Sequence, residues 1–284
     1  MTAGVPDDPV MPALGQVQVV LDGALATVTL RQDGKFNAMS RAMWRALRDA
    51  FVSLPTHDAI RCVVVRGNGG HFCAGGDISE YVAFRFDRAS LGMFHEREVW
   101  GALQAMLDCD IPIVAAIEGN CMGAGLEIAS CCDIRIATAG ARFGVPIARL
   151  GFPMAPRELD LVMRAVGPVA ARQFLLEADV LDAPRMHALG FLTRVVDDAQ
   201  LETQLQQTQQ RICALAPQAA RMNKRSIRAL QFAQPDHAPG GGGASTATEQ
   251  PILDRLVATA YDYADSPEHR EGIAAFLAKR RPQF

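Results

Sequence analysis

The sequence lacks three features that would point to a membrane, to secretion or to nucleic acid. No window approaches the ~18 to 20 apolar residues that a membrane-spanning helix needs. Residues 1–15 carry two aspartates and three prolines, and they lack the basic start and apolar core of a signal peptide. The formal net charge is −3 and no stretch is rich in lysine or arginine, which leaves no basic field for nucleic acid. We therefore expect a cytoplasmic protein with no membrane or nucleic-acid partner.

Metal and nucleotide motifs are missing as well. The seven cysteines lie mostly in apolar runs, and the adjacent pair Cys131 and Cys132 lacks the two-residue spacer and the nearby histidines of a zinc site. We interpret the cysteines as small buried apolar side chains in a reducing compartment, and we expect no metal site. The glycine-rich stretch at residues 67–78 matches neither the dinucleotide fingerprint nor the phosphate-binding loop with its lysine.

What the sequence does have is apolar material: 49% of the 284 residues are hydrophobic, enough to bury a large core. Strand-like runs predominate up to about residue 155 and helix-like runs after it. We predict a disordered tail over residues 1–15, an α/β core over residues 16–200 and a helical C-terminal region over residues 201–284. Gly240 to Gly243 predict a flexible break within that last region.

Two glycine-rich turns follow two predicted strands. Residues 60–65 form one apolar run, followed by glycines that include Gly75 and Gly76, and residues 113–117 form another, followed by Gly123 and Gly125. Ligands of open α/β sheets bind where the carboxyl ends of neighbouring parallel strands open a crevice. The two turns are therefore expected to lie side by side and to supply one backbone donor each.

One carboxylate, Glu127, falls in the first turn of the helix predicted after the second glycine turn, with Leu126 and Ile128 beside it. A first-turn acid can simply be stabilised by the helix macrodipole. A catalytic acid in apolar surroundings is the competing interpretation. The helix predicted over residues 90–108 carries His95, which with the charged residues after it is expected to form a solvated face.

Motifs that extend from about residue 17 to the C-terminus, in order, occupy residues 35–39, 72–78, 113–119, 123–127, 132–137, 143–146 and 270–280. In this combination the chain resembles the enoyl-CoA hydratase/isomerase (crotonase) family. The resemblance implies an α/β, crotonase-like spiral of repeated ββα units with a helical C-terminal trimerisation region, and trimers that often pair into hexamers. It also implies an acyl-CoA thioester as substrate, with coenzyme A as part of that substrate and no separate cofactor.

The resemblance also implies roles for individual residues. The N–H groups of Gly76 and Ala124 would hold the thioester oxygen as an oxyanion hole, and Glu127 would be the catalytic acid/base. Lys35 would lie near the CoA phosphates. The further substrate- and CoA-binding positions are Cys73, Ala74, Gly75, Gly76, Asp77, Ile78, Gly123 and Ile147.

The sequence departs from the family pattern at one important position. Hydratases of the family use a second glutamate just after a Phe-Gly-x-Pro turn, and here that position is Ile147. Glu127 alone could manage a concerted addition of water or shuttle a proton between C2 and C4 as an isomerase does, or a substitute such as Glu158 or Arg149 could enter the site. We expect an enoyl-CoA hydratase. The alternatives are an enoyl-CoA isomerase and a non-catalytic acyl-CoA-binding protein.

Overall fold

Nine strands form two sheets in the part of the chain that the computed structural model describes, residues 15–233 and 250–284. All but the last residue of the predicted tail, and the whole predicted break at Gly240 to Gly243, lie outside the described residues. The strands are β1 (Gln16–Asp22), β2 (Leu25–Arg31), β3 (Cys62–Gly67), β4 (Ile113–Ile117), β5 (Asn120–Met122), β6 (Ile134–Thr138), β7 (Arg142–Gly144), β8 (Val180–Asp182) and β9 (Arg194–Val196).

Helices follow the strands throughout and predominate in the C-terminal region. They are α1 (Arg41–Ser53), α2 (Arg88–Met93), α3 (Trp100–Asp108), α4 (Ala124–Cys131), α5 (Pro156–Arg172), α6 (Ala183–Ala188), α7 (Leu201–Cys213), α8 (Pro217–Ala233), α9 (Gln250–Thr259) and α10 (Pro267–Leu277). Ser40 caps α1 as predicted, since its hydroxyl accepts a hydrogen bond from the Met43 amide at 3.2 Å. No helix among the described residues is long and apolar enough to cross a membrane.

The main sheet has the order β1-β2-β3-β4-β6-β9, and every neighbouring pair except the β1–β2 hairpin is parallel. Its central strands are apolar on both faces, as strands covered on both sides must be. Val63 and Val65 belong to the main core, whereas Val64 belongs to a second, smaller core on the opposite face, beneath Leu201 of α7. The period of two along β3 therefore divides the apolar residues between two layers of helices.

A small second sheet, β5-β7-β8, stands at the carboxyl end of the main one. β4 leads into β5 and then α4, and β6 leads into β7 and then α5, which gives two successive units of two strands and a helix. α4 and α5 pack against each other. The first turns of these two helices are thereby brought to the same end of the main sheet.

The structure corrects the sequence-based prediction in two places. The region after residue 155, where helices were predicted to predominate and no strand was identified, contains the short strands β8 and β9, and β9 completes the main sheet. The helix predicted over residues 90–108 does form, but a π-helical stretch, Phe94–Val99, separates α2 from α3. A wider π turn rotates the side chains that follow it away from the faces that a regular helix would give them.

Candidate functional site

The two glycine-rich turns meet at the carboxyl ends of the parallel strands β3 and β4, as the sequence predicts. Gly75 and Gly123 both have positive φ, at +112° and +47°, in backbone conformations that disfavour a side chain. A Cβ built on Gly123 would lie 3.6 Å from the Cα of Gly75. An isolated β-bridge, made by backbone hydrogen bonds, pairs Cys73 with Cys121 and so joins the first turn to β5. The 3.6 Å contact distance is an ordinary one, so it is the positive φ angles that favour glycine at these two positions.

Gly76 in the first turn and Ala124 in the second are among the backbone amides that donate no hydrogen bond within the described residues. Gly76 is fixed in place because its neighbours bond to Met39, from the Met39 amide to the Gly75 carbonyl at 2.7 Å and from the Asp77 amide to the Met39 carbonyl at 2.9 Å. Ala124 is the first residue of α4, so the helix contains no carbonyl four residues before it that could accept its N–H. Two positioned donors are the arrangement that binds a developing oxyanion.

Glu127 lies in the first turn of α4 and is only 7% exposed. The hydrogen bonds and ion pairs of the described residues include none to its carboxyl group. Burial raises the pKa of this carboxyl well above its usual range, the negative charge of Glu158 raises it further, and His95 lowers it. A simple macrodipole acid would be exposed and ionised, so its burial favours the catalytic interpretation of Glu127.

A second buried acid stands beside Glu127. Glu158, in the first turn of α5, is 3% exposed, and its Oε1 lies 2.8 Å from Nδ1 of His95. Burial raises the pKa of Glu158 to about 8, Glu96 raises it, and the Arg85 guanidinium lowers it. The sequence offered Glu158 as one possible substitute for the acid missing at Ile147, and the structure places it within electrostatic reach of Glu127.

The prediction of a solvated face over residues 95–98 holds for Glu96 and Arg97, which are exposed, and is wrong for His95 and Glu98. The His95 side chain is 19% exposed and bonds to Glu158, and the Glu98 side chain is 13% exposed and pairs with Arg41. Both residues lie in the π-helical stretch, so a regular helical period assigns them to the wrong face. Burial is the main reason why the pKa of His95 is lowered, and the Arg85 charge lowers it further. His95 is therefore mainly neutral at neutral pH.

Aromatic side chains connect the glycine turns to this acid pair. The Tyr81 hydroxyl fills the space where a Gly76 side chain would be, 2.2 Å from a Cβ built there. The Arg85 guanidinium lies over the rings of Tyr81 and Phe152, at 4.5 and 3.6 Å from their centroids. Burial raises the pKa of Tyr81 to about 12, so its hydroxyl stays protonated. The site is thus lined by rings and one cation.

Other predicted site residues have different surroundings. Arg149 donates instead to the Ala178 carbonyl at 2.9 Å. Ile147 is half-buried against the main core, and Ile78 is 53% exposed. The backbone N–H and C=O of Cys73 are both bonded to β5, and its side chain is fully buried.

Lys35 and Asp77 form an ion pair of 2.7 Å, in which the lysine side chain is 41% exposed and the aspartate side chain 6%. Asp77 also accepts hydrogen bonds from Gln32 and from the Ser79 amide. The bonds from Lys35, Ser79 and Gln32 outweigh the opposing effect of burial and lower the pKa of Asp77 to about 2. Asp77 therefore fixes the turn, and the Lys35 ammonium is held at the surface.

Comparisons with known proteins identify similar sequences and folds. The family model described as enoyl-CoA hydratase/isomerase matches residues 21–284. The 2,3-dehydroadipyl-CoA hydratase of Escherichia coli (strain K12) is 30% identical, over 90% of this chain and 93% of that protein. The probable enoyl-CoA hydratase echA8 of Mycobacterium bovis is 29% identical, over 94% of this chain and 97% of that protein. The crystal structure of an enoyl-CoA hydratase/carnithine racemase from Magnetospirillum magneticum superposes with a TM-score of 0.83 at 36% identity, covering 94% of each chain. These matches confirm the fold class predicted from the motifs.

Proposed function

Because this chain belongs to the enoyl-CoA hydratase/isomerase family, we propose that it adds water reversibly to a 2-enoyl-CoA and so forms a 3-hydroxyacyl-CoA. Glu127 carries this proposal: it is a buried carboxyl, without a partner among the described residues, three positions after the unpaired Ala124 amide. A structural acid would have donors or solvent around it.

The oxyanion hole is made of main chain. The thioester oxygen would accept hydrogen bonds from Gly76 and Ala124, whose amides have no competing acceptor among the described residues. As water adds at C3, negative charge moves through C2 onto this oxygen, and fixed donors stabilise it without rearranging. Loss of one such donor typically costs ~10²–10³ in rate.

Glu127 would move the proton at C2. Burial and the neighbouring acid raise the pKa of Glu127 well above its usual range, which favours the protonated form. A carboxylic acid kept neutral in this way can donate a proton to the enolate carbon during hydration and recover it during dehydration.

An enoyl-CoA isomerase is the second candidate function, and the observation that favours it is the single motif-matched acid, Glu127, although isomerases of the family usually keep their acid at the position of Ile147. An isomerase needs only one acid/base to move a proton between C2 and C4, and the position of the usual second acid is apolar here. A 3-enoyl-CoA incubated in heavy water distinguishes the two reactions. Deuterium at C4 of the product with no hydrated species would establish isomerisation and refute the hydratase.

CoA binding would use the surface beside the first glycine turn. Lys35 supports this proposal, since the ion pair with Asp77 holds its ammonium in one place while leaving it partly exposed to a phosphate. The backbone of Ala74, Gly75 and Gly123 would lie along the pantetheine arm. Cys73 would contribute only by holding β5 against this segment.

A homotrimer, with possible pairing into hexamers, is proposed for the assembled protein. The C-terminal helices support it, because they expose large apolar side chains such as Ile273, Phe276 and Leu277, at 53%, 82% and 75%. We also propose a cytoplasmic location. Analytical ultracentrifugation of the full chain tests the assembly, and a monomer at micromolar concentration would refute it.

Substitution Glu127→Gln tests the proposed function. The glutamine keeps the shape of the side chain but cannot donate or accept the C2 proton. Hydration of 2-enoyl-CoA should fall by at least ~10²-fold while CoA affinity is retained. Unchanged turnover with every acyl-CoA would instead indicate a non-catalytic acyl-CoA-binding protein.

A further inference from the structure

The mechanism described for Glu127 leaves the second buried acid unused. Glu158 is 3% exposed on the first turn of α5, the helix that packs on α4. An ionisable group this deep lowers the stability of the fold unless it is paired or functional. Its side-chain partner among the described residues is His95, at 2.8 Å. An acid and an imidazole held together beside Glu127 form a proton-transfer unit.

We propose that Glu158, oriented by His95, is the second acid/base of the site and takes the proton of the attacking water, in place of the acid absent at Ile147. This inference rests on the hydratase function proposed above. Glu158 reaches the site from α5, eleven residues after Ile147 in the chain. The acid/base group would thus come from the first turn of α5 and not from the 3₁₀ turn Pro146–Leu150 that contains Ile147.

The surroundings of the two acids assign their roles. His95 is neutral, and in the tautomer that carries the proton on Nδ1 it donates to Glu158. The Arg85 charge also favours the ionised form of Glu158, whereas Glu127 has no donor among the described residues. Two neighbouring carboxyls seldom ionise together. The active form is therefore Glu158 ionised and Glu127 protonated.

The water oxygen bonds to C3 while one water O–H bond breaks and its proton goes to the Glu158 carboxylate. The C2–C3 π electrons move to C2 and onto the thioester oxygen held by Gly76 and Ala124. C2 then takes the proton of Glu127, which becomes ionised. Transfer of one proton from Glu158 to Glu127 restores the starting state.

Charged and titratable groups face Glu158 from each neighbouring element. Glu127 comes from α4, His95 and Glu96 from the π-helical stretch, and Tyr81 and Arg85 from the segment after the first glycine turn. Tyr81 is protonated, so Arg85 and the neutral His95 favour the carboxylate while Glu127 and Glu96 oppose it. Glu158 titrates as part of this group.

Two reactions distinguish the roles of the acids. Hydration of a 2-enoyl-CoA needs both acids, whereas exchange of a C2 proton of a saturated acyl-CoA with heavy water needs only the acid at C2 and the oxyanion hole. In Glu158→Gln, hydration should fall by at least ~10²-fold, while C2 exchange stays within about threefold of the wild type. Glu127→Gln should lose both. Asp160→Asn, which removes an exposed acid from the same helix, is the matched control and should change neither.

Hydration by Glu158→Gln within about threefold of the wild type would overturn the inference, and so would loss of C2 exchange along with hydration. If the wild type hydrates no enoyl-CoA, the proposed function fails and takes this inference with it. If the wild type hydrates and Glu158→Gln does too, only the inference fails. Thermal melting and CoA binding of the variant confirm that it is folded.

His95 is a positioning residue, and a pH profile tests it independently. His95→Phe removes the donor to Glu158, so the ascending limb of kcat/KM for hydration should move to higher pH. His95→Gln, which keeps an N–H donor, should restore part of the shift. An unchanged limb in His95→Phe would overturn the assignment of Glu158 as the base.

Discussion

Replacing Glu158 by glutamine should make the protein progressively more stable than the wild type as the pH rises towards 8. Folded Glu158 keeps its proton up to a pKa of about 8, whereas an unfolded glutamate releases it near ~4.3. Between these values the unfolded state binds fewer protons, so the stability of the wild type falls with rising pH. Glutamine has no proton to release and escapes this loss.

The magnitude follows from the pKa difference. Each pH unit in that window costs ~1.4 kcal/mol, so the nearly four units between ~4.3 and about 8 amount to roughly 5 kcal/mol. This figure is an upper limit, because Glu158 titrates together with Glu127 and shares the effect with it. Above about pH 8 the folded carboxyl is ionised as well, and the difference between variant and wild type should become constant.

Urea denaturation of both proteins from about pH 5 to 9, at one fixed protein concentration, measures the difference. Asp160→Asn should show no such trend, since Asp160 is an exposed partner of Arg164. A constant stability difference between Glu158→Gln and the wild type over the whole range would refute the reasoning. It would mean that folded Glu158 is already ionised at about pH 5.

Three further predictions concern activity. Arg85→Met should raise the pKa of Glu158, because the guanidinium lowers it. The ascending limb of the pH–rate profile for hydration, expected near pH 8, should therefore move to higher pH, and an unmoved limb would contradict this. Gly76→Ala should abolish hydration because its Cβ would lie 2.2 Å from the Tyr81 hydroxyl, and adding Tyr81→Phe should recover part of the rate; equal rates in both variants would exclude this clash as the cause. Ile147→Glu should raise wild-type hydration by less than about tenfold, since Glu158 already fills the role, but should raise the rate of Glu158→Gln substantially; a large gain in the wild type would contradict the role of Glu158.

The sequence is sufficient to predict the parts of the site that depend on backbone. The apolar runs of β3 and β4 identify central strands, and glycines after both locate the turns that meet. Glu127 could be singled out because its neighbours are apolar. These features are local, so a pattern of a few residues determines them.

The remaining features depend on packing between distant segments. β9 has three half-buried residues, too few for a periodic signal, and joins the main sheet only by pairing with β6. His95 was assigned to the wrong face because the π-helical stretch alters the period of its helix. The partnership of His95 with Glu158 joins residues 63 positions apart, and no pattern within either segment reveals it.

The most direct test of the proposed function is a mass-spectrometric assay of wild type and Glu127→Gln with a panel of 2-enoyl-CoA thioesters in water enriched in oxygen-18. We predict that the wild type converts at least one thioester to a product heavier by one labelled water, and that Glu127→Gln does so at least ~10²-fold more slowly. Equal incorporation of labelled water by the two proteins, or none by the wild type with any thioester, would contradict the proposed function.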